Sequence, residues 1–199
     1  MISVPFAVLR HAPTVWNAEK RLQGMSDTPL SAEGEARART WRLPAPAESW
    51  RRVSSPLQRA RRTAELLQPG APVTIDRRLR EMSFGIWEGL SIAELRATIG
   101  ERFIQAEQRG LDFEPPGGES PRQVMARLAA FPAELARNGR PAVIVAHKAV
   151  LRALLALATG WDMTGRQPVK LDWHCLHYFA ATPDGRVTLE RPNVTLATP

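Results

Sequence analysis

Two apolar runs of this chain, each patterned as a buried strand, end in a histidine. The run F-A-V-L at residues 6–9 leads into Arg10 and His11, and the run A-V-I-V-A at residues 142–146 leads into His147. Strands that alternate with helices form a mostly parallel sheet covered on both faces, and ligands bind at the carboxyl ends of its strands. A lone histidine beside a core strand is more often structural than functional. Two histidines at the same sheet edge therefore predict a ligand site.

The remaining patterns support this α/β fold class with a mostly parallel central sheet. Helical spacing of apolar residues predicts helices between the strands, and a Pro-Asp-Gly turn at residues 183–185 predicts a closing hairpin. We expect further strands at 53–54 with their flanks, 73–76, 174–181 and 186–194, and helices at 31–42, 57–67, 92–108, 122–137 and 150–158.

Composition limits the classes of protein that the chain can form. A length of 199 residues with 44% hydrophobic residues fits a single domain, residues 1–199, better than two. No apolar run approaches the ~20 residues that span a bilayer, so we expect no membrane partner. The single cysteine, Cys175, excludes an intrachain disulfide and favours a cytoplasmic location. The oligomeric state, including a homodimer, stays open.

The net charge of +7 favours an anionic partner. Nucleic acid, an acidic membrane surface and small phosphorylated substrates all carry the right charge. The arginines do not alternate with aromatic residues along a strand, and no nucleic-acid motif is present. We therefore expect a small phosphorylated substrate and no nucleic acid.

The segment S-S-P-L-Q-R at residues 54–59 reads as a strand that feeds a helix. Ser55, Pro56 and Gln58 fit an N-cap, a first helical residue and a capping-box partner. Arg59 then falls in the first helical turn, where free N–H groups and the helix dipole favour an anion. The pattern is compatible with a phosphate clamp formed by Arg59 and Arg10, and equally with an exposed helix arginine.

Residues 79–89, L-R-E-M-S-F-G-I-W-E-G, have no clear period, which indicates a shaped loop. Glu81 and Glu88 in this loop are candidate acids. The alternative for each is an ordinary surface pair with a nearby arginine, which stabilises a fold by less than ~1 kcal/mol.

Two histidines, two arginines and a carboxylate suit the transfer of a phosphoryl group. A neutral imidazole attacks phosphorus, arginines neutralise the phosphoryl oxygens, and a carboxylic acid protonates the leaving oxygen. This arrangement needs no metal and no cofactor. The chain also offers no histidine pair at i, i+4 on a helix and only one cysteine, so we expect no metal site.

Five blocks together resemble the signature of the histidine phosphatase (phosphoglycerate mutase-like) superfamily, in the family's order. They are L-R-H-A-P-T-V-W-N, Q-G-M-S-D-T-P-L-S-A-E-G, S-P-L-Q-R-A-R-R-T-A, the loop from Glu81 to Gly89, and V-I-V-A-H-K-A-V-L-R. The resemblance implies a three-layer α/β/α sandwich and a covalent phosphohistidine intermediate.

By position, the resemblance also implies roles for individual residues. It makes His11 the nucleophile and Glu81 the proton donor. The residues that it places around the phosphate are Arg10, Asn17, Gln23, Gly24, Arg59 and His147.

Two positions depart from the family pattern. Ala12 stands where glycine usually follows the first histidine, and it would be strained if that position required a positive φ. Lys148 stands where glycine often follows the second histidine. Its side chain either projects into the pocket, where it would favour a more anionic substrate, or extends into solvent, which is the more common arrangement for a lysine.

The compact interval from Glu81 to His147 favours a phosphatase over a mutase. Glycolytic mutases, which the chain also resembles, carry an extra segment there that holds arginines for the substrate carboxylate. The segment P-P-G-G-E-S at residues 115–120 resembles smaller phosphatases, including those that act on α-ribazole phosphate, although Ser120 also fits a capping box. We therefore expect a metal-independent phosphomonoesterase acting on a small phosphorylated metabolite. The alternatives are a mutase and a non-catalytic module that binds anions or nucleic acid.

Specificity is expected to depend on Trp16, Met25 and Trp87, together with residues 92–121 and the C-terminal strands. The two tryptophans either flank the mouth of the site or pack in the core.

Overall fold

The computed structural model describes residues 3–197, which form a six-stranded sheet with helices on both faces. The strands are β1 Val4–Arg10, β2 Arg51–Ser54, β3 Val73–Ile75, β4 Ala142–Ala146, β5 Leu176–Ala181 and β6 Val187–Val194. Their order across the sheet is β3-β2-β4-β1-β5-β6. The pairs β2–β3, β2–β4 and β1–β4 are parallel, and the pairs β1–β5 and β5–β6 are antiparallel. The mostly parallel sheet expected from the sequence is confirmed.

Eight α-helices connect or follow these strands within the described residues. They are α1 Val15–Ala18, α2 Ala32–Thr40, α3 Gln58–Leu67, α4 Ile92–Ile99, α5 Glu101–Glu107, α6 Pro121–Leu128, α7 Ala130–Arg137 and α8 Lys148–Thr159. Short 3₁₀ turns occupy Ala47–Ser49, Arg77–Leu79, Gly85–Trp87 and Gly110–Asp112.

Alternation of side chains along β1 divides the core into two layers. Phe6 and Val8 pack on the face covered by α6, α7 and α8, whereas Ala7 and Leu9 pack on the face covered by α2 and α3. Successive residues of a strand point to opposite faces, so one strand supplies both layers. This arrangement is the expected three-layer α/β/α sandwich.

Helix α8 packs deeply against the sheet at the site edge. Leu151, Leu154 and Leu155 are inaccessible to solvent, as its nearly continuous apolar sequence predicts. Full burial of each leucine contributes about 1.5–3 kcal/mol to folding. The rigid seating of α8 fixes its first turn, which follows His147 directly.

Two helices that the sequence predicts as continuous are broken. The predicted helix 92–108 divides at Gly100, whose φ of 49° takes the chain out of the helical region. The predicted helix 122–137 divides at Ala129, because Pro132 has no N–H to bond the carbonyl of Leu128 and its ring crowds that carbonyl. The predicted strand 174–181 begins only at Leu176, so His174 lies outside it.

Candidate active site

His11 and His147 meet at the carboxyl edge of the sheet, as the two strand patterns predict. Strands β1 and β4 are parallel neighbours with Arg10 opposite Ala146, and the N–H of His11 donates to the carbonyl of Ala146 at 3.0 Å. The centroids of the two imidazole rings lie 5.2 Å apart. A shared backbone register therefore sets the spacing of the two rings.

One hydrogen bond determines which nitrogen of His11 is free. Nδ1 lies 2.7 Å from the carbonyl oxygen of Ala12, which only accepts, so Nδ1 carries the proton. Nε2 then keeps its lone pair. His11 lines a cavity at the carboxyl edge of the sheet. Burial, together with the positive charges of Arg10 and Arg59, lowers the pKa of His11 well below its usual value. The ring is therefore neutral at physiological pH.

Alanine causes no backbone strain at position 12. Ala12 is not among the residues of 3–197 with a positive φ, and it is fully buried. Its N–H donates to Oγ1 of Thr63 at 3.0 Å, and that hydroxyl donates to the carbonyl of Arg59 at 2.7 Å. Ala12 thus links the nucleophile to α3 without needing glycine.

His147 is held by a serine that the sequence placed in a different role. Its Nε2 lies 2.7 Å from Oγ of Ser55, while its Nδ1 is buried with no hydrogen-bond partner among residues 3–197. Burial and the charge of Arg59 lower the pKa of His147 well below its usual value. The neutral ring thus has one nitrogen positioned by Ser55 and one without a protein partner, and His147 lies beside His11 without itself lining the cavity.

The predicted N-cap at Ser55 is wrong. Helix α3 starts at Gln58, and its N-cap is Leu57, which provides no side-chain cap. The backbone N–H of Gln58 donates instead to Oδ1 of Asp27 at 2.7 Å. The capping pattern could not show that Ser55 faces the strand edge, where His147 arrives from a distant part of the chain.

Arg59 is buried in the first turn of α3, which excludes the exposed alternative. Its Nη1 donates to the carbonyl of Ser26 at 2.8 Å and its Nη2 to the carbonyl of Gly24 at 2.7 Å. Its Nε and that of Arg10 are buried without a hydrogen-bond partner in the described part of the chain. Arg10, Arg59 and His11 all line the same cavity.

Glu81 lies on the other side of this cavity and is largely buried. Its Oε1 accepts from the N–H of Met82 at 3.0 Å and from the N–H of Ala149 at 3.1 Å. Both bonds involve the same oxygen, so Oε2 is the atom available for proton exchange. The Ala149 contact ties the acid to the first turn of α8.

Glu88, the second candidate acid, has a structural role. Its carboxylate accepts from the N–H groups of Met25 and Ser26 at 2.9 and 2.8 Å, and from the N–H of Phe84 at 3.1 Å. It therefore joins the loop 21–28 to the loop 79–89. The surface arginine pair that the sequence offered as an alternative for Glu88 is also wrong, because its partners are backbone N–H groups and the hydroxyls of Ser26 and Ser83.

The other residues implied by the resemblance lie on the same cavity wall. Asn17, Gln23 and Gly24 all line the cavity. The side-chain oxygen of Asn17 accepts from the N–H of Thr14 at 3.0 Å, and that of Gln23 accepts from Oγ1 of Thr28 at 2.7 Å. With both oxygens occupied, each amide has its NH₂ group left to face an anion.

The cavity has a volume of about 460 Å³, and Lys148 lines it. Lys148 is nevertheless an exposed residue, so it lines the cavity where the cavity opens to solvent and combines the two arrangements that the sequence left open. Trp16 lines the cavity as well, whereas Trp87 is buried against Phe103, with ring centroids 5.4 Å apart. One tryptophan therefore belongs to the site and the other to the core.

Sequence reasoning missed Arg152 as a site residue. It lines the cavity one turn after Lys148 on α8, and its Nε is buried without a partner in the described part of the chain. The spacing of four residues from Lys148 was the available signal, because it places both side chains on one helix face.

Within residues 3–197, no group of three or more metal-ligating side chains converges. No helix in that range has both the length and the apolar character needed to cross a bilayer.

Comparison with known proteins defines the class to which the fold and the site belong. The model of the Histidine phosphatase superfamily (branch 1) matches residues 6–195, and the chain belongs to this superfamily. Its relatives support the activity of a phosphoric monoester hydrolase of the histidine phosphatase type.

Three individual proteins illustrate the range of these relatives. A probable phosphoglycerate mutase GpmB of Salmonella paratyphi C is 36% identical over 170 residues, covering 82% of this chain and 79% of that protein. The native structure of a mycobacterial glucosyl-3-phosphoglycerate phosphatase has 28% identity and a TM-score of 0.79, covering 96% of this chain and 99% of that one. A putative α-ribazole-5′-P phosphatase from Escherichia coli has 25% identity and a TM-score of 0.79, covering 98% and 99%.

Proposed function

We propose that this chain is a metal-independent phosphomonoesterase that hydrolyses a small phosphorylated metabolite through a phosphohistidine at His11. The hydrogen bond from Nδ1 of His11 to the carbonyl of Ala12 carries this proposal, because it leaves the lone pair of Nε2 free beside two arginines. The single cysteine, Cys175, is buried as a free thiol, which is in keeping with a cytoplasmic enzyme.

The substrate phosphate binds among cationic and neutral donors. Arg10 and Arg59 form charge-assisted hydrogen bonds to its oxygens, and the unpartnered Nδ1 of His147 provides a further nitrogen close to the nucleophile. These groups are fixed before the substrate arrives, so they stabilise the charge that develops at phosphorus with little reorganisation.

The chemistry proceeds in two balanced steps. In the first, Nε2 of His11 forms a bond to phosphorus as the ester P–O bond breaks, and Oε2 of Glu81 gives its proton to the leaving alcohol oxygen. In the second, water attacks phosphorus and gives a proton to the Glu81 carboxylate. The N–P electron pair then returns to His11 as phosphate leaves.

The phosphatases with similar folds are named for glucosyl-3-phosphoglycerate and α-ribazole 5′-phosphate. Both compounds are phosphate monoesters of small metabolites, so both are first candidates for this chain. A screen of phosphorylated metabolites that includes them and the phosphoglycerates would identify the substrate.

The decisive experiment is phosphate release from p-nitrophenyl phosphate by wild type, His11→Ala and His174→Ala. We expect His11→Ala to lose at least about a thousandfold in kcat, because the nucleophile is gone. His174 is exposed and does not line the cavity, so His174→Ala should keep wild-type turnover.

Two further readings belong to the same experiment. An acid-labile, base-stable phosphoenzyme should form in wild type and be absent in His11→Ala, and activity should survive EDTA. Wild-type turnover by His11→Ala would refute the proposal.

A mutase is the second candidate, because a relative that is 36% identical is named a probable phosphoglycerate mutase. A mutase returns the phosphoryl group to a second alcohol instead of to water. Conversion of 3-phosphoglycerate to 2-phosphoglycerate in the presence of 2,3-bisphosphoglycerate, faster than phosphate release, would favour it.

A non-catalytic module that binds anions or nucleic acid is the third candidate, motivated by the net charge of +7. It would show a steep salt dependence of DNA or RNA binding at micromolar protein and no turnover of phosphate esters.

A further inference from the structure

The cavity contains two cations beyond the phosphate pocket, on the first two turns of α8. Lys148 and Arg152 are four residues apart, so they lie on one face of the helix, about 6 Å apart along its axis. Both line the cavity. Neither forms an ion pair within residues 3–197.

Both cations are positioned by aromatic rings and not by carboxylates. The guanidinium carbon of Arg152 lies 5.2 Å from the ring centroid of Trp161, and Nζ of Lys148 lies 5.2 Å from that of Trp173. A stacked guanidinium keeps its in-plane N–H donors available, and Nε of Arg152 is buried with no partner in the described residues. The two side chains are therefore ordered but not neutralised.

The two carboxylates in the cavity wall, Glu81 and Glu107, form no ion pair with Lys148 or Arg152. Oε1 of Glu81 is bound by two backbone N–H groups, and its charge acts on the two cations only without direct contact. Glu107 pairs with Arg96 at 3.0 Å, and Arg96 does not line the cavity. Burial and then the neighbouring Arg152 lower the pKa of Lys148, and the more distant Glu81 opposes them with a smaller effect.

We propose that Lys148 and Arg152 form a second anion subsite, so that the substrate is a phosphate monoester whose alcohol portion carries another anionic group, carboxylate or phosphate. This inference rests on the proposed phosphatase function. Lys148 follows His147 directly, so the subsite lies about one helical turn from the phosphate pocket. A substrate with its two anions on a short carbon skeleton spans that distance.

The test compares substrates that differ only at the second group. Glycerol 3-phosphate, 3-phosphoglycerate and glycerol 1,3-bisphosphate share a three-carbon skeleton with a free 2-hydroxyl, and at the far carbon they carry a neutral hydroxyl, a carboxylate and a phosphate group respectively. We expect wild type to hydrolyse at least one of the two substrates that carry a second anionic group with a kcat/KM about tenfold or more above that of glycerol 3-phosphate. The two arms distinguish a carboxylate from a phosphate as the second group.

Lys148→Met and Arg152→Met should each reduce this preference at least threefold, because each removes one charge and keeps an apolar stem. The preference is a ratio within one variant, so partial loss of folded protein cancels. Lys148→Arg and Arg152→Lys keep the charge and should keep most of the preference. Lys170→Met and Arg137→Met, exposed and outside the cavity, are the matched controls and should keep the full ratio.

Three results would overturn the subsite. They are the absence of a preference in wild type, an equal fall for all three substrates in Lys148→Met and Arg152→Met, and the same change of ratio in the control variants. Failure of the proposed function has a different signature, since wild type would then release no phosphate from p-nitrophenyl phosphate either.

Discussion

At the scale of single residues, the site depends on hydrogen bonds that orient two neutral rings. The carbonyl of Ala12 selects the tautomer of His11, and Oγ of Ser55 holds His147. Both rings are buried among arginines, so protonation would add charge to an already positive pocket. Their orientation, and not their charge, makes them useful to a phosphoryl group.

Ser55→Ala tests this orientation. The variant removes the 2.7 Å contact to Nε2 of His147 and should lower kcat on p-nitrophenyl phosphate by about tenfold, since one buried hydrogen bond contributes ~1–1.5 kcal/mol. Ser49→Ala is the matched control, because Ser49 is exposed and its hydroxyl bonds only the carbonyl of Pro46. A kcat of Ser55→Ala within twofold of wild type would contradict the role.

Gly24→Ala should destabilise the fold and the site together. The φ of Gly24 is +51°, and an added Cβ would lie 2.1 Å from Oε1 of Glu88. Gly139→Ala is the control, because it has a φ of +63° with open space around the added atom. Positive φ costs about 1–3 kcal/mol in both, and Gly24→Ala should lose about 1–3 kcal/mol more as Glu88 leaves its partners.

Urea unfolding measures the two stabilities, and p-nitrophenyl phosphate turnover measures the site. Gly24→Ala should also lower turnover, because the carbonyl of Gly24 holds Arg59. Equal free energies of unfolding for Gly24→Ala and Gly139→Ala would contradict this prediction, because they would show that displacing Glu88 does not destabilise the fold.

At the scale of elements, α6 supports the loop that presents the acid. Arg127 donates from one guanidinium to the carbonyls of Arg78, Arg80 and Glu81 and pairs with Glu119 at 3.1 Å. Glu119 in turn accepts from the N–H of Ser83 at 3.1 Å. The loop carrying Glu81 therefore takes its shape from Arg127, a residue of α6 that does not itself line the cavity.

Arg127→Met should cost about 2–4 kcal/mol in the free energy of unfolding, because it leaves three carbonyls without their donor and removes one of the two arginines that pair with the partly buried Glu119. Turnover should fall as well, since Glu81 loses the support of its loop. Arg122→Met, on the same helix, breaks only an exposed pair with Asp112 and should cost less than about 1 kcal/mol. Urea unfolding of both variants provides the comparison, and similar losses would contradict the assigned role.

The sequence predicted the elements better than their ends. The strand patterns and the positions of the two histidines were sufficient to predict that His11 and His147 meet at one edge of the sheet. The buried-strand pattern is readable within a few residues, and the carboxyl ends of parallel strands always lie at the same edge. Helix breaks at Gly100 and Ala129 were missed, since an apolar period continues through a single Gly or Pro. Ser55 was missed as a site residue because its partner His147 lies 92 residues away, and local patterns carry no record of such a contact. Arg152 was missed although its spacing of four residues from Lys148 is a local signal.

At the scale of the whole molecule, the buried imidazoles link folding to pH. The pKa values of His11 and His147 are lowered in the fold, mainly by burial, while the unfolded chain titrates near 6.5. The unfolded state therefore binds more protons below pH 6.5. The free energy of unfolding is therefore unaffected by these two groups above pH 6.5 and decreases as the pH falls below 6.5.

Urea unfolding at pH 7.5 and 5.5 in phosphate-free buffer measures this linkage. Each histidine contributes a slope of up to about 1.4 kcal/mol per pH unit below 6.5. The double variant His11→Gln/His147→Gln should lose less stability between the two pH values than wild type. His174 and His177, whose pKa values are also lowered, remain in both proteins and cancel. Equal losses would exclude the two imidazoles as the source.

The sheet order also determines when a newly made chain becomes active. Strand β1 leads into His11, the proposed nucleophile, and precedes the other described strands along the chain, yet its neighbours β4 and β5 begin at residues 142 and 176. The contact between Ser55 and His147 spans 92 residues. Contacts so distant in sequence form slowly during folding. Recovery of turnover after refolding should thus coincide with the final long-range strand pairing, and a ribosome-bound chain that ends before β4 holds its nucleophile without an enzyme around it.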